Sequence, residues 1–171
     1  MAQWTNRPVI KADENLNALF QEGVIEAYGQ EFGPRIYATY LELFQALPVL
    51  VRTPNRVIIC HSIPGNSALP NFNPARLETD VYEPADLQPG GTVHTLLWGR
   101  DKSASTAAAF LEKMDADLVV SGHIACDTGF DVPNDRQIII DCAECPAGYL
   151  LFPTGRPLTH QELVGSLRII S

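Results

Sequence analysis

Basic residues and long apolar runs are scarce in this chain of 171 residues, and each scarcity excludes a class of protein. The 12 lysines and arginines are outnumbered by 20 aspartates and glutamates, which gives a net charge of −8. They form no basic stripe, so binding to a nucleic acid backbone is not expected. No apolar run approaches the roughly 20 residues that cross a bilayer, so no membrane segment is predicted.

Cysteine is also infrequent, with four residues in the whole chain. A chain of this length can bury a sizeable core without covalent staples, so a secreted disulfide framework is not expected and the thiols are predicted to be reduced. The first residues lack the basic and then apolar pattern of a signal peptide. The expected location is therefore the cytoplasm.

The residues that are present predict one globular domain over residues 1–171, because 46% are apolar and only 19% are charged. Apolar residues recur at helical spacing over 14–28 and again over 34–47, so the segment 1–47 is predicted to be helical. The segment 48–171 is predicted to be mixed β/α. The predicted fold class is therefore α/β, in the sense of α+β.

Short runs of β-branched residues define the predicted strands of that second segment. A hairpin is predicted from 49–51 and 57–60, and further strands over 93–98, 117–120, 137–141 and 148–152. A helix is predicted over 103–114, with Ser103 or Ser105 as its N-cap. Another is predicted where Thr159 and Glu162 have capping-box spacing. The stretch 62–91 is rich in proline, asparagine and glycine and is too long for an ordinary connection, which indicates a functional or lid-like loop.

Two of the predicted strands are followed closely by a histidine, His61 directly after the first and His123 after Ser121 and Gly122 in the second. Each imidazole is therefore expected at the carboxyl edge of a sheet, where α/β folds build their sites. Neutral imidazole is a good ligand for transition metals, so the two side chains could share one ion. The alternative is that each is a partly buried histidine bonded to a backbone carbonyl.

Several short segments around these histidines resemble, in the same order, the phosphoprotein-phosphatase branch of the calcineurin-like metallophosphoesterases. The segments are VIICHSIP at 57–64, TLLWGRD at 95–101, VVSGH at 119–123, Gly129 with Phe130, VPN at 132–134 and IIID at 138–141. The first resembles the family's Cys-His-Gly-Gly-Leu segment, the second its Leu-Leu-Trp-Ser-Asp segment and the third its last metal-ligand histidine.

The resemblance implies a four-layer sandwich of mixed β-sheets flanked by helices, with two metal ions at the strand ends. A hydroxide that bridges the ions would attack a phosphomonoester or a phosphoprotein in line. His61 and His123 would ligate the same one of these ions, which could be manganese, iron or zinc. Arg100 is the candidate substrate-binding residue, because a guanidinium forks onto two phosphate oxygens. For Arg100 the alternative is a surface arginine paired with Asp101 or another acid.

The family's N-terminal motifs, Asp-x-His, Gly-Asp-x-x-Asp-Arg-Gly and Gly-Asn-His-Glu, do not occur in this chain. The resemblance therefore covers the C-terminal portion of the domain, and the other ligands and the catalytic acid are expected before Met1. No residue of this chain is assigned a catalytic role. An incomplete phosphoesterase is the leading hypothesis. The alternative is a non-catalytic remnant that binds a metal or a partner, or that completes its sheets as a homo-oligomer.

A third hypothesis is a structural zinc site. Cys142 and Cys145 form a Cys-x-x-Cys pair, which with Cys126 and His123 would supply four ligands. The alternative for the cysteines is that they are small buried residues. The two remaining histidines are predicted to be structural, with His94 inside a strand and His160 exposed in the first turn of the last helix.

Overall fold

The structure is a computed structural model that describes residues 16–79, 81–142 and 145–170. The chain divides into two compact units, one ending at Pro48 and one beginning at Val49. In the described residues, no helix combines the length and the apolar character that a membrane span requires.

The first unit is a helical hairpin, α1, that runs from Leu16 to Ala46. Gly29 divides it, with φ of 75° and ψ of 166°, a conformation that glycine adopts at little cost. The two halves cross closely at Gly33, where an added Cβ would lie 2.6 Å from the Cα of Ile25. The ring of Phe20 in the first half contacts three rings of the second, those of Tyr37, Tyr40 and Phe44. The helices predicted over 14–28 and 34–47 are confirmed for the described residues.

The second unit is built on a five-stranded mixed sheet in the order β1-β2-β3-β5-β4. The strands are β1 (Leu50–Arg52), β2 (Val57–Cys60), β3 (Leu118–Ser121), β4 (Phe130–Asp131) and β5 (Gln137–Ile140). β2, β3 and β5 run parallel, whereas β1 and β4 are antiparallel to their neighbours at the two edges. The predicted hairpin is confirmed as the pair of β1 and β2. A separate two-stranded antiparallel sheet joins β6 (Ala147–Leu150) to β7 (Leu167–Ile170).

Three helices accompany these sheets. They are α2 (Thr92–Trp98), α3 (Ala104–Lys113) and α4 (His160–Val164). The side chain of Ser103 caps the start of α3, and the predicted capping box of Thr159 and Glu162 begins α4. Both sequence signals are confirmed.

The strand predicted over 93–98 is wrong, because this segment is the helix α2. Its β-branched and aromatic residues favour a strand when propensity alone is considered. In the fold, however, Thr92, Val93 and Leu96 are the buried positions, and this spacing belongs to a helix rather than to a strand. Packing has therefore overridden propensity. The prediction that His94 lies inside a strand is wrong for the same reason.

The sheet carries a separate apolar cluster on each of its faces. Ile58 and Val119 pack with Leu96 of α2 and Phe110 of α3 on one face. The alternate residues of the same strands, with Leu163 of α4, form the second cluster, whose buried members are Val57, Leu118, Val120, Ile138 and Leu163. The mixed α/β class is therefore confirmed, while the four-layer sandwich stays a prediction.

The described residues of the segment 62–91, which are 62–79 and 81–91, contain three short 3₁₀-helices, Leu69–Asn71, Pro74–Leu77 and Pro84–Leu87. Leu69 and Phe72 belong to the apolar cluster that includes Phe110. The guanidinium of Arg76 grips the buried carboxylate of Asp86, with nitrogen to oxygen distances of 3.0 and 2.5 Å. These contacts hold the described part of this segment in place beside α2.

Candidate functional site

The two predicted histidines lie side by side at the carboxyl edge of the central sheet. His61 directly follows β2, and His123 lies two residues beyond β3, its parallel neighbour. The backbone N–H of Gly122 donates to the carbonyl of His61 at 3.0 Å and extends the pairing to the first histidine. The Nε2 atom of His61 is 2.7 Å from the Nδ1 atom of His123, so one ring donates a hydrogen bond to the other. The structure thus brings together the two residues, and their role as metal ligands stays a prediction.

His123 has a strained backbone. Its φ is 67°, in the left-handed region that residues other than glycine adopt uncommonly, with asparagine, aspartate and histidine as the more frequent exceptions. The strain costs on the order of 1 kcal/mol or more, and such strain concentrates at functional sites. Strand β3 and the hydrogen bond of Gly122 hold the adjoining backbone, which allows the imidazole to be presented beside His61 despite this cost.

Both imidazoles are kept in the neutral form. Burial lowers the pKa of His123 to about 4, and the adjacent His61 and the charge of Arg100 act in the same direction. The pKa of His61 is lowered by burial and then by Arg100. Neutral imidazole is the form that ligates metals. The pair is therefore in its ligand form at neutral pH.

Arg100 lies just beyond α2, and its charge acts on both histidines. The alternative in which it pairs with Asp101 is not observed. The carboxylate of Asp101 instead accepts hydrogen bonds from the backbone N–H of Asn66 and from residues at the start of α3, namely Ser103 and Thr106. Within residues 16–79, 81–142 and 145–170, no hydrogen bond or ion pair is formed by Arg100. Its guanidinium is therefore free to meet an anion.

A cleft of about 480 Å³ lies beside the pair. Its lining residues are Gly65, Ser67, Ala68, Asn71, Gly90, His94, Thr95, Trp98, Gly99 and Arg100. Trp98 connects the cleft to the histidines, because its ring meets His123 edge to face with centroids 6.3 Å apart. The other flank of Trp98 is occupied by His94, with centroids 6.1 Å apart and ring planes 27° from parallel. The indole is still 40% exposed.

The position of His94 and Trp98 in this cleft did not follow from the sequence analysis. The two residues are four apart, a spacing that puts them on the same face of a helix. That signal was hidden because the segment was predicted as a strand. His160 also differs from its predicted exposure, since the residue is half-buried and its Nε2 atom is fully buried without a hydrogen bond to the described residues.

The histidine pair could supply two ligands to a metal ion. In the tetrahedral arrangement usual for zinc, nitrogens held at about 2.0–2.1 Å from the ion lie about 3.3 Å apart. The observed 2.7 Å is a hydrogen-bond distance, so the rings would have to separate by roughly 0.6 Å to hold such an ion. The described residues supply no third ligand, since their histidine, cysteine, aspartate and glutamate side chains form no group of three or more that could hold a metal.

The zinc ligand set considered for Cys126, Cys142, Cys145 and His123 does not come together in the described chain either. All four cysteines are free, and Cys142 and Cys145 are exposed. The expectation of small buried cysteines is therefore also wrong for these two residues. The Sγ atom of Cys126 contacts the carbonyl of Ile124 at 3.2 Å.

A search of the chain against protein-family models gives no match. The resemblance to the metallophosphoesterases therefore stays a prediction from the ordered sequence segments.

Proposed function

We propose that this chain supplies half of a metallophosphoesterase-type centre that acts on a phosphorylated substrate. His61 and His123 hold one divalent transition metal, manganese, iron or zinc, in a centre that is dinuclear when complete. Oxygen ligands from outside the described residues complete the coordination. We place this activity in the cytoplasm, in keeping with four free cysteines.

The observation that carries the proposal is the 2.7 Å approach of the Nε2 atom of His61 to the Nδ1 atom of His123. Parallel strands β2 and β3 bring the rings to one edge, and burial keeps both in the neutral form. A backbone with φ of 67° holds His123 there. Two neutral imidazoles this close could share an ion after a small separation of the rings.

Arg100 adds the second part of the centre. Its guanidinium, which forms no ion pair with the described residues, presents a fork of donors that matches two oxygens of a phosphate. Its charge already acts on both imidazoles, so a phosphate held by Arg100 lies beside the histidine pair. When bound there, a metal supplies Lewis-acid stabilisation to the attacking and leaving oxygens.

Metal binding tests the proposal directly. Calorimetric titration with Mn²⁺ and Zn²⁺ at pH 7.5 should detect a site in the wild-type chain that His61→Ala and His123→Ala each weaken by tenfold or more. His160→Ala is the matched control, because this imidazole lies on α4. Equal metal affinity in all four proteins would contradict the proposed ligands.

A second candidate is a non-catalytic domain that binds a metal or a partner, including another copy of itself. The lack of a third metal ligand among the described residues favours it. Turnover of an aryl phosphate with added Mn²⁺ separates the candidates. Turnover that disappears in His123→Ala supports the enzyme, whereas metal bound at the histidines without turnover supports the binding domain.

A further inference from the structure

The cleft beside the histidine pair has a composition that points to a ligand. One wall carries the indole of Trp98, and several glycines and an alanine form open parts of the lining. None of the lining residues is acidic, although acidic residues outnumber basic residues in the chain. The cation in the lining, Arg100, forms no ion pair with the described residues. The cleft therefore suits a ligand that is flat in one part and anionic in another.

We propose that this cleft binds the planar ring of a phosphate ester. A nucleoside monophosphate is the chemical class that would contact the aromatic, cationic and polar side chains of the cleft together. The phosphate meets Arg100 beside the histidine pair, and the ring lies against Trp98. The inference rests on the proposed function, because it concerns the substrate of the same centre.

Trp98 is the group that recognises a ring. Its indole lines the cleft, remains 40% exposed and is braced by His94 on one flank and by the edge contact with His123. A tryptophan held in this way loses little freedom when a ring stacks on it. Stacking of a base on an aromatic side chain contributes about tenfold or more to affinity.

The polar groups at the rim favour a ring that has donors and acceptors on its edge. The amide of Asn71 and the hydroxyl of Ser67 line the cleft, and neither side chain forms a hydrogen bond within the described part of the chain. An amide offers a donor and an acceptor together, which matches the edge of a nucleobase and not that of a plain phenyl ring. The volume of about 480 Å³ lies within the range of about 300–1,000 Å³ that is usual for small-molecule sites.

The first experiment uses Trp98 as its own reporter. Trp4 and Trp98 are the two tryptophans of the chain, so Trp4→Phe leaves a single indole. Fluorescence excited at the red edge of the tryptophan band is titrated with inorganic phosphate, glycerol phosphate, phenyl phosphate, adenosine and adenosine 5′-monophosphate, with Mn²⁺ present. We expect phenyl phosphate to bind about tenfold more tightly than glycerol phosphate, and the nucleotide to bind more tightly still.

Variants then assign the affinity to particular groups, with binding measured by calorimetry. Trp98→Ala should remove the advantage of phenyl phosphate over glycerol phosphate. Asn71→Ala should weaken the nucleotide by severalfold and leave phenyl phosphate unchanged. A Cβ at Gly65 meets no atom within 4 Å, so Gly65→Leu should fill the cleft and abolish ring binding without disturbing the fold. Gly155, equally open, provides the control Gly155→Leu.

The outcomes separate this inference from the proposed function. Equal affinities for glycerol phosphate, phenyl phosphate and the nucleotide, all lost in Arg100→Ala, would overturn the ring subsite and leave the phosphate site standing. Binding of adenosine that depends on Trp98, without any binding of phosphate or of metal, would support the ring subsite and overturn the phosphoesterase. Ring affinity that survives in both Trp98→Ala and Gly65→Leu would refute the cleft as its location.

Discussion

Acid should destabilise this protein through His123, and the effect can be isolated by comparison with His123→Gln. In the unfolded chain this imidazole has an ordinary pKa of 6.5, whereas in the folded chain burial beside His61 and Arg100 lowers the pKa to about 4. Between these two values the unfolded state binds more protons than the folded state. The free energy of unfolding therefore falls as the pH falls from 6.5 towards 4, and the contribution is fully present above 6.5.

The size of the effect follows from the two pKa values. A lowering from 6.5 to about 4 corresponds to about 3 kcal/mol at about 1.4 kcal/mol for each pH unit. His123 is half-buried rather than fully buried, and water screens part of this interaction. The expected loss for the wild-type chain is therefore about 1–2 kcal/mol more than for His123→Gln, whose side chain does not titrate.

Urea unfolding followed by circular dichroism at several pH values between 7.5 and 4.5 measures this difference, with a chelator present to exclude metal. His160→Gln is the control for replacing a histidine outside the pair. The lowered pKa values of the carboxylates, such as Asp86 and Asp101, affect all three proteins alike and cancel in the comparison. Parallel curves for the wild type and His123→Gln would refute the argument that burial keeps this imidazole neutral.

Three further substitutions test how the site is held in place, each by the urea midpoint of unfolding. Gly99→Ala should destabilise by 2 kcal/mol or more, because the new Cβ would overlap the carbonyl of Ile63 at the rim of the cleft; a loss no larger than that of Gly155→Ala would contradict this close approach. Phe110→Ala should cost about 3–5 kcal/mol, since the ring is fully buried beneath the sheet, and a cost below 1 kcal/mol would argue against that packing. Asn55→Ala should cost about 1–3 kcal/mol, because its Nδ2 atom bonds two carbonyls of the loop after β6 at 3.0 and 2.9 Å, and an unchanged midpoint would show that these bonds are not formed.

The elements that were predicted correctly carry local signals. Ser103 and Thr159 accept hydrogen bonds from the backbone N–H groups of their own first turns, so each helix start depends on residues within three positions of it. The hairpin of β1 and β2 follows from a turn between two apolar runs, and its close pairing needs no distant part of the chain. In all three cases the interacting residues are near neighbours in the sequence.

The errors occurred where distant residues decide the structure. Thr92 to Trp98 became a helix because Leu96 packs against residues of β2 and α3 and because the Ser62 hydroxyl donates to the Leu96 carbonyl, 34 residues away. The sequence pattern holds no trace of these contacts.

The sequence by itself determined that two histidines follow two apolar strands, because strand periodicity and a short connection are properties of neighbouring residues. It could not show that these strands are adjacent and parallel, with 57 residues between Cys60 and Leu118. The tertiary structure alone decided that the imidazoles meet at 2.7 Å, that His123 adopts a strained backbone and that Trp98 lies between the pair and a cleft. The reason is physical: the pairing of β2 with β3 and the packing of α2 and α3 on the sheet both depend on contacts between residues far apart in the chain.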